Sequence, residues 1–525
     1  MGVSYMLREV RVENGLVRGL PAADPRITAF KGIPYAEPPV GELRWKAPRP
    51  AKNWEGVLEA YHFGPLAMQE TPGEGPNPLY TKEWHVDPTL PMSEDCLHLN
   101  VWTPAKSADE KLPVMVWIFG GGLRCGYPSE MEFDGERIAR RGVVLVTINY
   151  RLNAFGFLAH PELTREDPEF PTNFGHLDQK FAIQWVKRNI AAFGGDPDNI
   201  TVFGQSAGGG STLAQVVSPL NKGLFQKAIC QSSGGVLPPS LKGNRLETAE
   251  KMGEEFLADL GVRTIEEARA LDARVILKQA LSTRKYGFGT VIGDKFMPDY
   301  PSNLLMSNKR NDMLLMIGHT ADEFPVESFA STYEEFEAYA REYFGDRANE
   351  FITICKKGAA DLEQIKRNGK YSRFKIGNLI WSDINIKFNA PKMYLYEFNP
   401  EIPGDNSGSF HSSELWFVFE TLAKCWRPFK GKHYDLARQM CNYWTNFAKN
   451  GDPNGPDADG TPMPEWRPVR EGDCKAMYFG DTAGMDENPR TELENFLVDF
   501  FTKQLSSGEE VKYAPYVRQD GTRVE

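Results

Sequence analysis

The run Ile200-Thr201-Val202-Phe203 passes directly into Gly204-Gln205-Ser206-Ala207-Gly208 and then into Gly209-Gly210-Ser211-Thr212-Leu213. No other stretch restricts the fold as much. β-Branched and aromatic residues bounded by glycine read as a buried strand, and the residues after Gly208 read as the start of a helix. A chain that turns from strand into helix within five residues needs glycines beside the turn, because the backbones pass too close for a Cβ. Such a turn lifts the Ser206 hydroxyl clear of the sheet and leaves the N–H of Ala207 aimed the same way. The five-residue pattern also arises by chance, as a glycine-rich turn with an incidental serine. Its place after a buried strand favours the first reading.

Two more apolar runs bracket this element. Pro113-Val114-Met115-Val116-Trp117-Ile118-Phe119 ends in Gly120-Gly121-Gly122, and Val143-Val144-Leu145-Val146-Thr147-Ile148 is rich in β-branched residues. Both read as strands covered on two faces. Across residues 178–192, Ala182, Ile183, Trp185, Val186 and Ile190 recur at helical spacing until Phe193-Gly194-Gly195-Asp196-Pro197 stops the helix. Strand and helix in alternation predict the α/β class: a mostly parallel central sheet with helices on both faces and the site at the carboxyl ends of the strands. Helices inserted at about 240–375 are expected near the substrate entrance, with Thr264…Glu267 and Thr332…Glu335 reading as capping boxes. Residues 72–91 hold Pro, Gly and acidic residues around Leu79, Tyr80 and Trp84 without a sustained period, which predicts a long loop, either a lid or disordered. No linker, repeat or charge block divides the 525 residues, so one domain over 1–525 is expected.

Composition narrows the partners. The formal net charge is −11, with basic residues scattered among acidic ones, and a cluster such as Lys366, Arg367 and Lys370 reads as a solvated helix face, so nucleic acid is not expected. The apolar runs are far shorter than the ~20 residues of a membrane helix, so no membrane partner is expected either. Seven widely spaced cysteines, without a C-x-x-C pair, suggest neither zinc nor a disulfide framework. Met1-Gly2-Val3-Ser4-Tyr5 runs into Arg8 and Glu9 without the apolar centre of an export signal, and reduced thiols in the cytoplasm are the simplest expectation.

From Phe193 to Gly208 the chain resembles the active-serine signature of the type-B carboxylesterases, a family that includes cholinesterases and bacterial para-nitrobenzyl esterases. Glu94-Asp95-Cys96-Leu97-His98-Leu99-Asn100-Val101-Trp102-Thr103-Pro104 resembles its second signature. Phe30-Lys31-Gly32-Ile33-Pro34-Tyr35-Ala36, Pro38-Pro39, Leu43-Arg44, Tyr443-Trp444 and Phe447-Ala448 extend the similarity over nearly the whole chain. The resemblance implies the α/β-hydrolase fold and hydrolysis of a small carboxylic ester with no metal or organic cofactor. It assigns Ser206 as nucleophile, Glu323 (in Gly318-His319-Thr320-Ala321-Asp322-Glu323) as acid, His411 (in His411-Ser412-Ser413-Glu414) as base, and Gly121, Gly122 and Ala207 as oxyanion donors.

Departures from the family pattern bear on specificity. Phe119 stands where a His or Tyr usually precedes the glycines, and Gln205 replaces the usual Glu before the serine, which disfavours cationic substrates. Ala67 takes the place of the cysteine that would pair with Cys96, so the 72–91 loop is expected to be untethered at its base. Phe324 replaces a glycine after the acid, and two paths stay open for that turn. Arg124, beyond the glycines, reads either as a surface residue or as a contact to an anionic or hydroxyl-bearing part of the substrate. Trp416 and Phe417 read equally as pocket lining and as core. Two rival functions share the pattern: an amidase or peptidase with the same three residues, and a non-catalytic binding module, against which stands the presence of all three.

Overall fold

A computed structural model describes residues 6–75, 78–237, 243–283, 285–507, 511–518, 521 and 523–524. Its framework is a sheet of eleven strands, numbered here in chain order: β1 Leu20–Pro21, β2 Thr28–Pro34, β3 His98–Thr103, β4 Leu112–Ile118, β5 Val144–Ile148, β6 Gly195–Gln205, β7 Lys227–Gln231, β8 Leu314–Thr320, β9 Met393–Phe398, β10 Met477–Phe479 and β11 Ala483–Met485. Across the sheet they lie in the order β11-β10-β9-β8-β7-β6-β4-β5-β3-β2-β1. From β10 to β5 all neighbours are parallel, and antiparallel strands close both edges. The expected α/β architecture is present. Every residue of β5 and β7 is buried, as strands covered by helices on both faces require.

The chain reverses its direction of travel across the sheet at β4. From there β5 is added on one side and β6 on the other, which opens a crevice beyond the carboxyl ends of β4 and β6. In register, Trp117 stands beside Phe203 and Ile118 beside Gly204, so both strands end at the same level. The helix expected over 178–192 spans Phe174–Asn189, followed by a 3-10 turn to Phe193. Most buried apolar residues from Val10 to Ala514 join in one connected cluster.

Two expectations about the flanking segments need revision. The 240–375 region is not one run of inserted helices: β8 of the central sheet divides it, with Leu246–Asp259, Ile265–Arg269, Ala273–Ser282 and Pro301–Met306 before it and Tyr333–Phe344, Ala348–Lys356 and Leu362–Asn368 after it. Residues 240–242 and 284 lie outside the described residues. Thr264 and Glu267 form the expected reciprocal cap. At Thr332 the cap is only half made: its hydroxyl accepts from the N–H of Glu335, whereas the Glu335 carboxylate accepts from Ser331 at 2.7 Å.

The segment 72–91, of which 76–77 lie outside the described residues, carries the helix Pro78–Glu83 and is not untethered. Cys96 is a free thiol, and the anchor lies elsewhere. The fully buried Glu83 carboxylate pairs with the buried Arg427 guanidinium and accepts from Trp416 Nε1 at 3.1 Å and from the Cys425 thiol at 3.2 Å. Trp84 packs on Phe410 with ring centroids 5.7 Å apart. Arg427 also pairs with Asp405 at 2.9 Å. Breaking a buried pair from one side leaves the other charge without compensation. Glu83→Ala should therefore destabilise the protein by roughly 3 kcal/mol, the low end for such a loss because Asp405 remains, and speed proteolytic cleavage within 72–91. Denaturant titration and limited proteolysis check both.

Candidate active site

Ser206 is the hinge between β6 and the helix Ala207–Val217, and it sits at φ 58°, ψ −125°, a conformation costly for a residue with a side chain. The surroundings hold it there. Its N–H donates to the Gln231 carbonyl at 3.0 Å and its own carbonyl accepts from Gly210 at 2.8 Å. A Cβ on Gly208 would lie 2.1 Å from the Ile118 carbonyl oxygen, and one on Gly204 2.4 Å from the Gly208 oxygen. The flanking glycines therefore let strand β4, strand β6 and the helix meet backbone to backbone.

Two loops from the same edge of the sheet reach this serine. Glu323 follows β8 and His411 follows β9, and both are buried. With the imidazole in the tautomer protonated at Nδ1, Ser206 Oγ donates to His411 Nε2 at 2.7 Å and His411 Nδ1 donates to Glu323 Oε2 at 2.5 Å. The other oxygen of Glu323 accepts from the N–H of Thr320 at 3.1 Å, which fixes the carboxylate's orientation. Asp322 faces away and accepts from the N–H of Ser409 at 2.9 Å. Phe324 takes the left-handed conformation that favours glycine, at φ 41°. Its ring lies over the His411 imidazole with centroids 4.5 Å apart and also packs on Phe374 and Tyr516, contacts that offset the backbone strain.

Gly121 and Gly122 line the same cleft as Ser206, His411 and Ala207, which together bound about 640 Å³, a volume suited to a small molecule. Gly121, at φ 115°, could not carry a side chain, since a Cβ would fall 2.1 Å from the Cys125 oxygen. No acceptor among the described residues takes the N–H of Gly121 or Gly122. Ala207 is the first helical residue, so its N–H has no partner within that helix.

The other expected site residues divide. Arg124 and Gln205 line the cleft. Phe119 does not: its buried ring stacks on Tyr150 at 4.4 Å, behind the glycines. Trp416 and Phe417 are core residues, Trp416 held by Glu83 and Phe417 edge-on to Phe398 at 5.0 Å.

Several side chains around the site make contacts that the sequence did not disclose. Gln205 Oε1 accepts from Ser412 Oγ at 2.9 Å, tying the residue before the serine to the residue after the histidine. Glu414 is fully buried; Gln231 donates to it at 3.3 Å and itself accepts from Trp444 Nε1 at 3.1 Å, while the second Glu414 oxygen has no hydrogen-bond partner among the described residues. Burial, and then the nearby Glu323 charge, push the Glu414 carboxyl up to about 8. Its position three residues after His411 was visible in the sequence, but its burial was not.

A hydroxyl bonded to an imidazole that is bonded in turn to a buried carboxylate can be deprotonated as it attacks an electrophilic carbonyl. Comparison with known proteins identifies the family. The carboxylesterase family model matches residues 7–372 and 356–497, and the chain belongs to that family. It is a carboxylic ester hydrolase. It is 32% identical over 504 residues to para-nitrobenzyl esterase of Bacillus subtilis (strain 168), spanning 92% of this chain and 97% of that protein. Fumonisin B1 esterase of Sphingopyxis macrogoltabida is 32% identical over 500 residues, 90% and 87% of the two chains, and acetylcholinesterase of Bungarus fasciatus is 32% identical over 488 residues, 85% and 79%. A solved PNB esterase structure superposes with a TM-score of 0.74 at 30% identity, covering 94% of this chain and all of that one.

Glu414 gives a pH prediction. A buried acid with its pKa raised from 4.5 to about 8 keeps its proton in the folded protein while the unfolded chain ionises, so its contribution to stability is full below 4.5 and is lost as pH rises to about 8. Glu414→Gln has no such proton to lose. Its melting temperature relative to the parent protein should rise between pH 5 and 8 and level off above; a difference independent of pH would contradict this.

Proposed function

We propose that the protein hydrolyses small carboxylic esters through an acyl-enzyme on Ser206, with His411 as base and Glu323 as the acid that orients it. The observation that carries the reading is the continuous chain from Ser206 Oγ through both nitrogens of His411 to Glu323 Oε2. His411 Nε2 takes the serine proton as Oγ attacks the carbonyl carbon. The N–H groups of Gly121, Gly122 and Ala207, which have no acceptor among the described residues, receive the developing oxyanion. His411 then protonates the leaving alkoxide, and in the second half removes a proton from water, which cleaves the acyl-serine. Glu323 stays ionised, holds the imidazole tautomer and stabilises the imidazolium.

The cleft also bears on the substrate. Arg124 and Arg518 both line it, and neither makes a side-chain hydrogen bond or ion pair among the described residues. Guanidinium groups in such a position suit a carboxylate or hydroxyl on the substrate. Short aliphatic or aryl esters fit the volume, and an added anionic group fits Arg124. Localisation follows the thiols: all seven cysteines are free, which supports a reducing compartment such as the cytoplasm. Among the described residues, no helix is long and apolar enough to cross a membrane.

Ser206→Ala should abolish hydrolysis of p-nitrophenyl esters and stoichiometric labelling by an organophosphate while the protein stays folded. Residual turnover near the parent rate would overturn the assignment. Glu323→Gln should lower kcat by roughly 10³ to 10⁴ with little change in KM, against less than about tenfold for Asp322→Asn, which does not face the histidine. The reverse order would transfer the acid's role to Asp322. For the substrate, Arg124→Ala should raise KM for an ester bearing a carboxylate roughly tenfold more than for its neutral analogue. An equal change for both removes Arg124 from recognition.

A further inference from the structure

A second constellation of nucleophile, imidazole and carboxylate lies in the wall of the same cleft, and the reaction proposed above does not use it. Cys125, partly exposed to the cleft, has its Sγ 3.7 Å from His85 Nε2 and 3.4 Å from the Gly121 carbonyl oxygen. His85 Nδ1 lies 2.9 Å from Glu130 Oε1 in an ion pair, and the second Glu130 oxygen accepts from the His85 backbone N–H at 3.3 Å. Tyr127 N–H donates to Glu130 Oε1 at 3.0 Å, so the carboxylate is held from two elements. We infer that Cys125 is a second nucleophile of this cleft, with His85 as its base and Glu130 orienting the imidazole, and that it captures soft carbon electrophiles of the α,β-unsaturated carbonyl class.

The groups facing His85 are Cys125, Glu130, Glu132 and the Tyr127 ring, 6.0 Å away. Burial pushes the imidazole down, but Glu130 and the sulfur outweigh it, and His85 titrates well above its ordinary range. Glu132, next to Glu130, is raised by burial and by Glu130's charge, which leaves Glu130 as the carboxylate that faces the imidazolium. An imidazolium beside a sulfur favours the thiolate, the reactive form. In the addition, the thiol proton passes to His85 Nε2, sulfur bonds to the β-carbon, and the π pair moves to the α-carbon. That carbon then receives a proton from His85, so the adduct is a thioether and His85 is restored. The other two partly exposed cysteines, Cys425 and Cys474, have no imidazole beside them among the described residues, and burial raises both, Cys474 to about 11. They serve as internal references.

The test treats the full chain with limiting N-ethylmaleimide and follows each cysteine by peptide mass mapping. At pH 7, Cys125 should react roughly tenfold or more faster than Cys425 and Cys474. Its rate should rise far less steeply with pH between 6 and 8 than the rates of Cys425 and Cys474, and Ser206→Ala should leave this labelling intact. His85→Gln should slow Cys125 to the reference rate at pH 7 and regain most of it at pH 9, where the thiol ionises without help. Equal rates for the three cysteines, or a Cys125 rate that climbs about tenfold per pH unit in the parent protein, overturn the inference even if His85→Gln does not fold. An undiminished rate in folded His85→Gln overturns it as well.

Discussion

The arrangement depends on one close approach: the backbone of Gly208, at the start of the helix behind Ser206, lies against the carbonyl of Ile118 at the end of the neighbouring strand. That contact brings the two central strands to a common edge and sets the three glycines after Ile118 beside the serine. It also forces Ser206 into a backbone conformation that the Gln231 carbonyl and the helix together maintain. Strain of this kind persists only where the environment over-determines it. Here the sheet and the helix core do so, and the hydroxyl is held out of the sheet before any substrate arrives.

The remaining groups come from loops that start far apart in sequence, so their positions must be enforced by bonds rather than by the turn itself. Glu323 is oriented by a backbone N–H three residues before it, and His411 is held by Glu323 on one side and by the Phe324 ring over its face. Gln205 and Ser412 join the serine's strand to the histidine's loop. Each hydrogen-bonded link is buried, where a polar contact is costly to leave unmade, so each narrows the geometries open to the next.

The sequence made legible whatever depends on local backbone chemistry. The strand and glycines around Ser206, the switch-point strand and the Thr264 cap could be read because a few adjacent residues determine them. Glu323 and His411 were legible only through family resemblance, since nothing local joins residues 88 positions apart. Phe324 shows how tertiary packing overrides a backbone preference: three ring contacts hold it where a glycine was expected. Trp416 and Phe417 escaped for a related reason, because which side of the short helix Leu415–Val418 faces the cleft is decided by Glu83 and Phe398, residues distant in sequence. Residues 72–91 looked irregular because the described ones are held by buried charges and aromatic contacts to residues distant in sequence, which leave no periodic trace.

That anchoring has a consequence for engineering the entrance. Glu83 and Trp84 hold the cleft wall to Arg427 and Phe410, and Phe410 is the residue immediately before His411. The rim that a substrate meets first and the base proposed to activate the serine thus share a single footing. A 72–91 segment transplanted from a relative would arrive without the partner it evolved with and disturb the histidine's loop as well as the entrance. Grafts that carry residues 403–429 along with the segment keep that footing intact.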